Sequence, residues 1–137
     1  MRGMEENIKK ILNKYEVVLG YIFGSHARGT AGSLSDIDVA VALPFGLSDE
    51  EQAEKIGNIR GEIQQAFKTD YVDVINLMQN ENSALRHDII FGGKAVLNKD
   101  QNLKTFLELK TVKDFEDTRY LRDMQFRILK EKIYVTD

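Results

Sequence analysis

The sequence predicts one small domain of the α/β (α+β) class, in which a small β-sheet is backed by helices. Two observations support this fold class. Strand-like and helix-like segments alternate along the chain and are separated by turn residues. The length of 137 residues suits one domain with a real core. We therefore expect a single domain at 1–137, with its core at about 5–98 and a C-terminal helical extension at about 101–133.

The first part of the chain predicts a helix and two strands around a loop of small residues. Residues 4–14 place apolar side chains at helical spacing between charges, which is typical of an amphipathic helix. Residues 17–23 are rich in β-branched and aromatic side chains and predict a buried strand. Residues 24–35 are mostly small, which favours tight turns and the start of a short helix. A second strand is predicted at 36–43, and Pro44 ends it.

The second part of the chain is mainly helical. Ser48 and Glu51 have the spacing of a capping box, which predicts a helix from there to about residue 67. The remaining elements are predicted as a strand at 71–77, a helix at 82–91 that stops at Gly92 and Gly93, a short strand at 95–97 and a helix at about 101–133.

The last predicted helix has a wide apolar stripe. Phe126 and Leu129 extend the stripe beyond what a small domain needs for its own core. We expect at least half of this helix to pack on its own sheet. The distal part is expected to dock a partner or a second copy of the chain.

Charge and cysteine content exclude several classes of function. The formal net charge is −3, so the basic surplus of a tight, sequence-independent nucleic-acid binder is absent and no direct nucleic-acid binding is expected. No cysteine is present, which excludes disulfides and thiolate sites. No apolar run approaches the ~20 residues that cross a bilayer, so no membrane contact is expected. The charged N-terminal helix differs from a signal peptide, and we expect a cytoplasmic protein.

Two aspartates lie at the start of the second predicted strand. Asp36 and Asp38 are two residues apart, so strand alternation sends both side chains to the same face. Paired carboxylates can ligate Mg²⁺, which prefers oxygen ligands and usually shares its shell with phosphates. With a second ion nearby, such a pair can clamp the attacking and leaving oxygens of a phosphoryl displacement.

A third aspartate lies on the next strand. Asp73 alternates with Val72 and Val74, so it faces away from the core that these valines enter. If this strand lies beside the second strand, Asp73 joins Asp36 and Asp38. A divalent cation would relieve the repulsion between the three carboxylates. Asp73 could also act as a general base toward an acceptor hydroxyl.

A glycine–serine turn follows the first predicted strand. Glycine lets the backbone approach a phosphate closely, and the amides of Gly24 and Ser25 and the Ser25 hydroxyl can donate hydrogen bonds to it. Arg28 can add a cation near the phosphates. Each feature alone is commonly a plain turn or a solvated surface, and the combination with the three aspartates indicates a phosphoryl-transfer site.

Gly24-Ser25, ten further residues and then Asp36-Ile37-Asp38 resemble the signature of the DNA polymerase β nucleotidyltransferase superfamily. The fuller pattern, Gly-Ser-His-Ala-Arg-Gly and later Ser-Asp-Ile-Asp-Val-Ala-Val, is most similar to its minimal branch of short proteins, which are often paired with HEPN-domain partners. Residues 73–77 resemble the third-carboxylate strand of that branch, and the resemblance covers roughly residues 5–98.

This resemblance implies a polymerase-β-like fold, a mixed sheet with helices on one side, with ATP and two Mg²⁺ ions in a cleft. It implies that Gly24 and Ser25 hold the triphosphate. It further implies that Asp36 and Asp38 bind metal. Asp73 would complete the metal site and help to activate the acceptor hydroxyl. Arg28 and Ser35 are two further nucleotide-binding candidates.

The resemblance also implies an activity and a partner. Members that resemble this chain are antitoxins of HEPN ribonuclease toxins and attach AMP from ATP to a toxin tyrosine. A magnesium-dependent protein adenylyltransferase that forms a complex with a HEPN-domain toxin is therefore expected. Two alternatives stay open: nucleotidyl transfer to a small hydroxylated molecule such as an antibiotic, for which the usual extra substrate domain is missing, and a non-catalytic antitoxin that acts by occlusion.

We also predict the locations of three other residues near these motifs. His26 is interpreted as a solvent-facing loop histidine and His87 as a surface residue of the predicted helix at 82–91. Arg86, on the same helix, is expected to reach the nucleotide region.

Overall fold

The computed structural model describes residues 2–29 and 36–135. The elements in chain order are α1 (Arg2–Lys14), β1 (Leu19–Phe23), α2 (Ser25–Arg28), β2 (Ile37–Ala42), α3 (Asp49–Phe67), β3 (Val72–Asn76), α4 (Ser83–Gly92), β4 (Lys94–Asn98) and α5 (Gln101–Val135). The predicted order of helices and strands is confirmed, and the short α2 begins at the small-residue segment as expected. Differences of one or two residues remain at the ends of some elements.

The four strands form one mixed sheet in the order β3-β2-β1-β4. Strand β1 pairs antiparallel with β2 and with β4, whereas β2 and β3 run parallel. In this register Ile22 of β1 lies opposite Val39 of β2, and Asp38 lies opposite Asp73. The start of β2, the start of β3 and the end of β1 therefore meet at one edge of the sheet.

One face of the sheet packs on α1 and α3. Strand β2 contributes Ile37, Val39 and Val41 to this face, and all three side chains are buried. The helices cover them with fully buried isoleucines and leucines: Ile8, Leu12, Ile59 and Ile63. Burial of these apolar side chains is the main source of stability on this face.

The opposite face packs on α4 and α5. Ala40 and Ala42 of β2 lie here with Tyr21 of β1, under Ile89 of α4 and Leu107 of α5. The expectation of helices on one side of the sheet is therefore wrong, because helices cover both faces. The physical reason is visible in β1 and β2, whose residues are buried on both faces and need two apolar layers.

Side-chain caps fix the starts of α3 and α4. The Ser48 hydroxyl accepts a hydrogen bond from the Glu51 amide at 3.1 Å, and the Glu51 carboxylate accepts one from the Ser48 amide at 3.3 Å. The predicted capping box is thus confirmed. In α4, the Asn82 side chain accepts a hydrogen bond from the Leu85 amide at 3.1 Å. This cap fixes the residue at which α4 begins, before the helix packs on the second face of the sheet.

Helix α5 has a packed part and an exposed part. Leu103 and Leu107 are buried against the second face, and the Thr118 hydroxyl bonds to that of Ser83 on α4 at 3.0 Å. Beyond Arg122 the larger apolar residues Phe126, Ile128 and Leu129 are exposed. Leu103 and Leu107 join the core of the second face, whereas the part near Thr118 packs on α4, so the expected packing of at least half of α5 on its own sheet is confirmed only for its first turns, and docking by its distal part stays a prediction. None of the described helices is long and apolar enough to cross a membrane.

Candidate active site

The three candidate carboxylates meet at one edge of the sheet. Asp38 is partly buried on β2, directly beside Asp73 of β3 in the parallel register. Asp36 immediately precedes β2 and is exposed. Burial raises the pKa of Asp38 above its ordinary value, and the negative charges of Asp73 and Asp36 raise it further. The structure thus brings together the three aspartates that the sequence singled out.

Gly24 is required both for its backbone conformation and for its missing side chain. It follows β1 with φ 75° and ψ −150°, a region that side-chain-bearing residues rarely adopt. A Cβ atom built at this position would overlap Oδ2 of Asp38. The sequence predicted a close approach of the backbone to phosphate at this glycine. The structure adds a second reason, because the backbone here already lies against a candidate metal ligand.

Helix α2 starts directly beside these carboxylates. Ser25 is its first residue, and His26 is partly buried rather than solvent-facing, so the prediction for His26 is wrong. The pKa of Asp38, which burial and its acidic neighbours raise, is lowered in part by the charge of His26. Arg28 is the last residue of α2. The Arg28 side chain and the whole of Ser35 lie outside the described part of the chain.

A cavity of about 260 Å³ opens beside Asp38. Its floor and one wall come from the end of β1 and the start of β2, and α4 provides the other wall. The lining residues are Phe23, Gly24, Asp38, Leu85, Asp88 and Gly92. A pocket with apolar walls and a few polar groups is typical of a small-molecule site.

The prediction for Arg86 is wrong. Arg86 does not line this cavity; it is only 7% exposed and forms an ion pair with Asp114 of α5 at 3.3 Å. It borders a separate cavity of about 610 Å³. His87 is partly exposed, so the surface prediction for His87 is confirmed in part; the sequence did not show that its ring stacks on Phe115 of α5, at 4.1 Å between ring centroids.

Sequence reasoning missed Asp88, the α4 carboxylate that lines the pocket. A signal was present, because Leu85, Asp88 and Gly92 follow the three-and-four-residue spacing of one helix face. The same spacing sends Arg86 and Ile89 toward the interior. Which face of α4 borders the active site depends on how α4 packs on the rest of the domain. The sequence did not show that packing.

The carboxylates provide the ligand chemistry that Mg²⁺ prefers. All are oxygen donors, and burial first, then the charges of Asp73 and Asp36, raise the pKa of Asp38. Among residues 2–29 and 36–135, no three acidic or histidine side chains already stand in a metal-binding arrangement. The donor chemistry of these neighbouring aspartates therefore fits Mg²⁺, although within the described part of the chain their side chains do not stand in a ligand arrangement in this structure.

Solved structures share this fold at low sequence identity. A toxin–antitoxin structure with AMP-PNP has a TM-score of 0.75 and 24% identity, over 92% of this chain and 98% of that one. A tri-AMPylated Shewanella oneidensis HEPN toxin in complex with MNT antitoxin gives 0.71 and 21%, over 94% and 98%. The toxin–antitoxin pair MntA–HepT gives 0.70 and 21%, over 95% and 99%. At these identities the likeness establishes a common fold.

The family is established by the sequence itself. No curated protein matches the chain at a significant level. The family model described as "Polymerase beta, Nucleotidyltransferase" matches residues 6–102, which include the glycine–serine turn and all three aspartates. This match covers well over half of the chain. The chain therefore belongs to the polymerase beta nucleotidyltransferase family.

Proposed function

We propose that this protein is a magnesium-dependent adenylyltransferase that moves AMP from ATP to a tyrosine hydroxyl of a HEPN ribonuclease toxin, and so acts as its antitoxin. One observation carries the proposal: Asp38 lies in register with Asp73 and against the backbone of Gly24. A triphosphate at the glycine–serine turn would then lie next to paired carboxylates. The family membership supports nucleotidyl transfer, and the similar structures support ATP and a HEPN partner.

In the proposed reaction the acceptor oxygen attacks the α-phosphorus of ATP. A new oxygen–phosphorus bond forms to the acceptor, and the bond from the α-phosphorus to the leaving pyrophosphate breaks. Asp73 is exposed at the edge of the site and accepts the proton of the acceptor hydroxyl. The amides of Gly24 and Ser25 and the Ser25 hydroxyl donate hydrogen bonds to the phosphate oxygens.

Asp36, Asp38 and Asp73 are the residues that would hold Mg²⁺. Two ions bound there would neutralise the charge that develops on the α-phosphate and on the leaving pyrophosphate. Arg28 and Ser35 are further proposed nucleotide contacts, since both belong to the segment between the turn and the aspartates.

The test is intact-mass analysis of a candidate HEPN-domain partner, after incubation with the chain, ATP and Mg²⁺. We expect a gain of one or more AMP units, and no gain with an Asp36→Ala/Asp38→Ala variant. Asp117→Asn on the exposed face of α5 is the matched control and should transfer like the parent. No gain with any chain, together with gain on a hydroxylated antibiotic, would replace the protein acceptor by a small molecule.

A second candidate function is inhibition by occlusion without catalysis. The observation that favours it is the distal part of α5, where Phe126 is 68% and Leu129 is 61% exposed. Such side chains are suited to a protein interface. The Asp36→Ala/Asp38→Ala variant separates the two functions. If it still forms the complex and blocks RNA cleavage, occlusion suffices; if it binds the toxin but cleavage continues, inhibition requires transfer.

A further inference from the structure

The wall of the active-site pocket formed by α4 carries a carboxylate that the proposed reaction does not use. Asp88 is exposed and lines the cavity of about 260 Å³, with Leu85 and Gly92 on the same helix face. It forms no hydrogen bond or ion pair with any other described residue. Its neighbour Arg86 is turned inward and pairs with Asp114 instead. Asp88 therefore lines the pocket as an exposed carboxylate with no hydrogen-bond or ion-pair partner among the described residues.

The position of this pocket separates it from the acceptor side of the site. In the strand order β3-β2-β1-β4, Asp73 of β3 lies on one side of Asp38. The pocket lies on the other side, where Phe23 and Gly24 end β1. If Asp73 receives the acceptor proton, the acceptor arrives from the β3 side. The pocket beside β1 is then left for the nucleotide.

The lining of the pocket selects which part of the nucleotide fits. A carboxylate repels phosphate oxygens and accepts hydrogen bonds from O–H and N–H donors. Phe23 and Leu85 add apolar surface for a sugar or a base. Gly24 belongs both to the phosphate turn and to the pocket, so the group bound here adjoins the phosphates. The nucleoside half of the nucleotide meets all of these conditions.

We propose that Asp88 is a specificity-determining residue that accepts hydrogen bonds from donor groups of the bound nucleoside. The inference rests on the proposed nucleotidyl transfer and adds the residue that selects the nucleotide. Two donor sets share this chemistry: the hydroxyls of ribose, and the N–H groups along the edge of the base. A carboxylate can accept from two donors at once in either case.

The experiment is calorimetric titration of the full chain with Mg²⁺ and α,β-methylene ATP, in which the bond that breaks is blocked. The experiment has two arms. The ribose arm uses the 2′-deoxy and 3′-deoxy analogues of this ligand, and the base arm uses analogues in which inosine or guanosine replaces adenosine. Each ligand is titrated into the parent, Asp88→Asn and the charge-matched control Asp117→Asn, whose residue is exposed on α5. Because position 88 is exposed, Asp88→Asn should fold like the parent, which thermal unfolding checks.

We expect the parent and Asp117→Asn to discriminate about tenfold or more within one arm, the size of a hydrogen bond to a charged group. Asp88→Asn should bind the preferred ligand more weakly and lose that discrimination. Discrimination in the ribose arm assigns Asp88 to the sugar, and discrimination in the base arm assigns it to the base. Equal binding of all ligands by the parent, or unchanged discrimination in Asp88→Asn, would overturn the inference but leave nucleotide binding intact. No nucleotide binding by the parent would overturn the proposed function as well.

Discussion

The two faces of β2 differ in what their side chains do: one forms the core and the other carries the candidate active site. On the α1 and α3 face, Ile37, Val39 and Val41 are all buried and apolar. On the α4 and α5 face, the strand begins with a partly buried aspartate, Asp38, and continues with two small buried alanines. One face therefore holds the domain together along its whole length. The other face is closed by helices only beyond the first residues, so a charged site remains open at its edge.

This division shows how a small domain can hold repelling charges. The carboxylates on the second face oppose folding, because burial and like charges raise the pKa of Asp38. The continuous core on the first face offsets that cost. Substitutions on the first face should therefore change stability and leave transfer intact. Substitutions on the second face should do the opposite, and the largest effect is expected at Asp38.

Asp38→Asn should reduce AMP transfer at least about a hundredfold, since a metal ligand contributes several kcal/mol to the transition state. In metal-free buffer at pH 7 the same variant should unfold at an equal or higher temperature than the parent. The folded-state pKa of Asp38 is raised by burial and acidic neighbours, so its ionised form destabilises the fold above that pKa. Transfer assays and thermal unfolding measure the two effects. A lower unfolding temperature would show that Asp38 also supports the fold.

Ile63→Ala tests the first face. Ile63 of α3 is fully buried in the core on this face. Its truncation should cost about 2–5 kcal/mol of unfolding free energy, through lost burial and the cavity left behind. Denaturant unfolding measures this loss. The transfer rate per folded molecule should stay near that of the parent, and a parallel loss of rate would mean that the two faces are coupled.

Gly24→Ala tests the edge at which the faces meet. The added methyl group meets Oδ2 of Asp38, and alanine disfavours a φ of 75°. We expect a stability loss of about 1–3 kcal/mol from the backbone conformation, together with a clear loss of transfer because Asp38 is displaced. Gly29→Ala is the matched control, since Gly29 has a φ of 72° but has open space at its Cβ position. An equal loss of transfer in both variants would assign the defect to backbone strain alone.

Sequence reasoning predicted the first face better than the second. Alternation along β2 and β3 placed Val39 and Val74 in the core and Asp38 and Asp73 outside it, and the pairing of the two strands brought the aspartates together. Local patterns of this kind depend only on the period of a strand. The start of α3 could likewise be predicted from local sequence, because Ser48 and Glu51 form hydrogen bonds within one turn.

The second face required information that local patterns do not contain. The orientation of α4 follows from its packing against the sheet and α5, where Arg86 meets Asp114 over a separation of 28 residues. Because that contact turns Arg86 inward, Asp88 faces the pocket. The partial burial of His26 beside Asp38 is equally a product of tertiary packing.

The smallest expected effect comes from comparing two carboxylates, Asp38 and Glu62, whose pKa values shift in opposite directions. On the first face, the Glu62 carboxylate of α3 joins Lys14 at 2.5 Å and the Tyr15 hydroxyl at 2.6 Å, which ties α3 to the end of α1. Hydrogen bonds from Lys14 and then Tyr15 lower the pKa of Glu62 below its ordinary value of 4.5. Its ionised form therefore stabilises the fold above about that pH, and this stabilisation is lost as the pH falls through the folded-state pKa.

Glu62→Gln should accordingly lower the unfolding temperature slightly at pH 7, by the modest amount typical of an exposed ion pair. The difference from the parent should vanish in acid, and Glu54→Gln on the exposed side of α3 should show none. Asp38→Asn should shift stability in the other direction at pH 7 and also converge with the parent in acid. Thermal unfolding from pH 3 to pH 7 in metal-free buffer tests both variants. If both variants changed the unfolding temperature in the same direction, the charges of the aspartates at the sheet edge would not oppose folding. The two faces of β2 would then not differ in the electrostatic cost of folding.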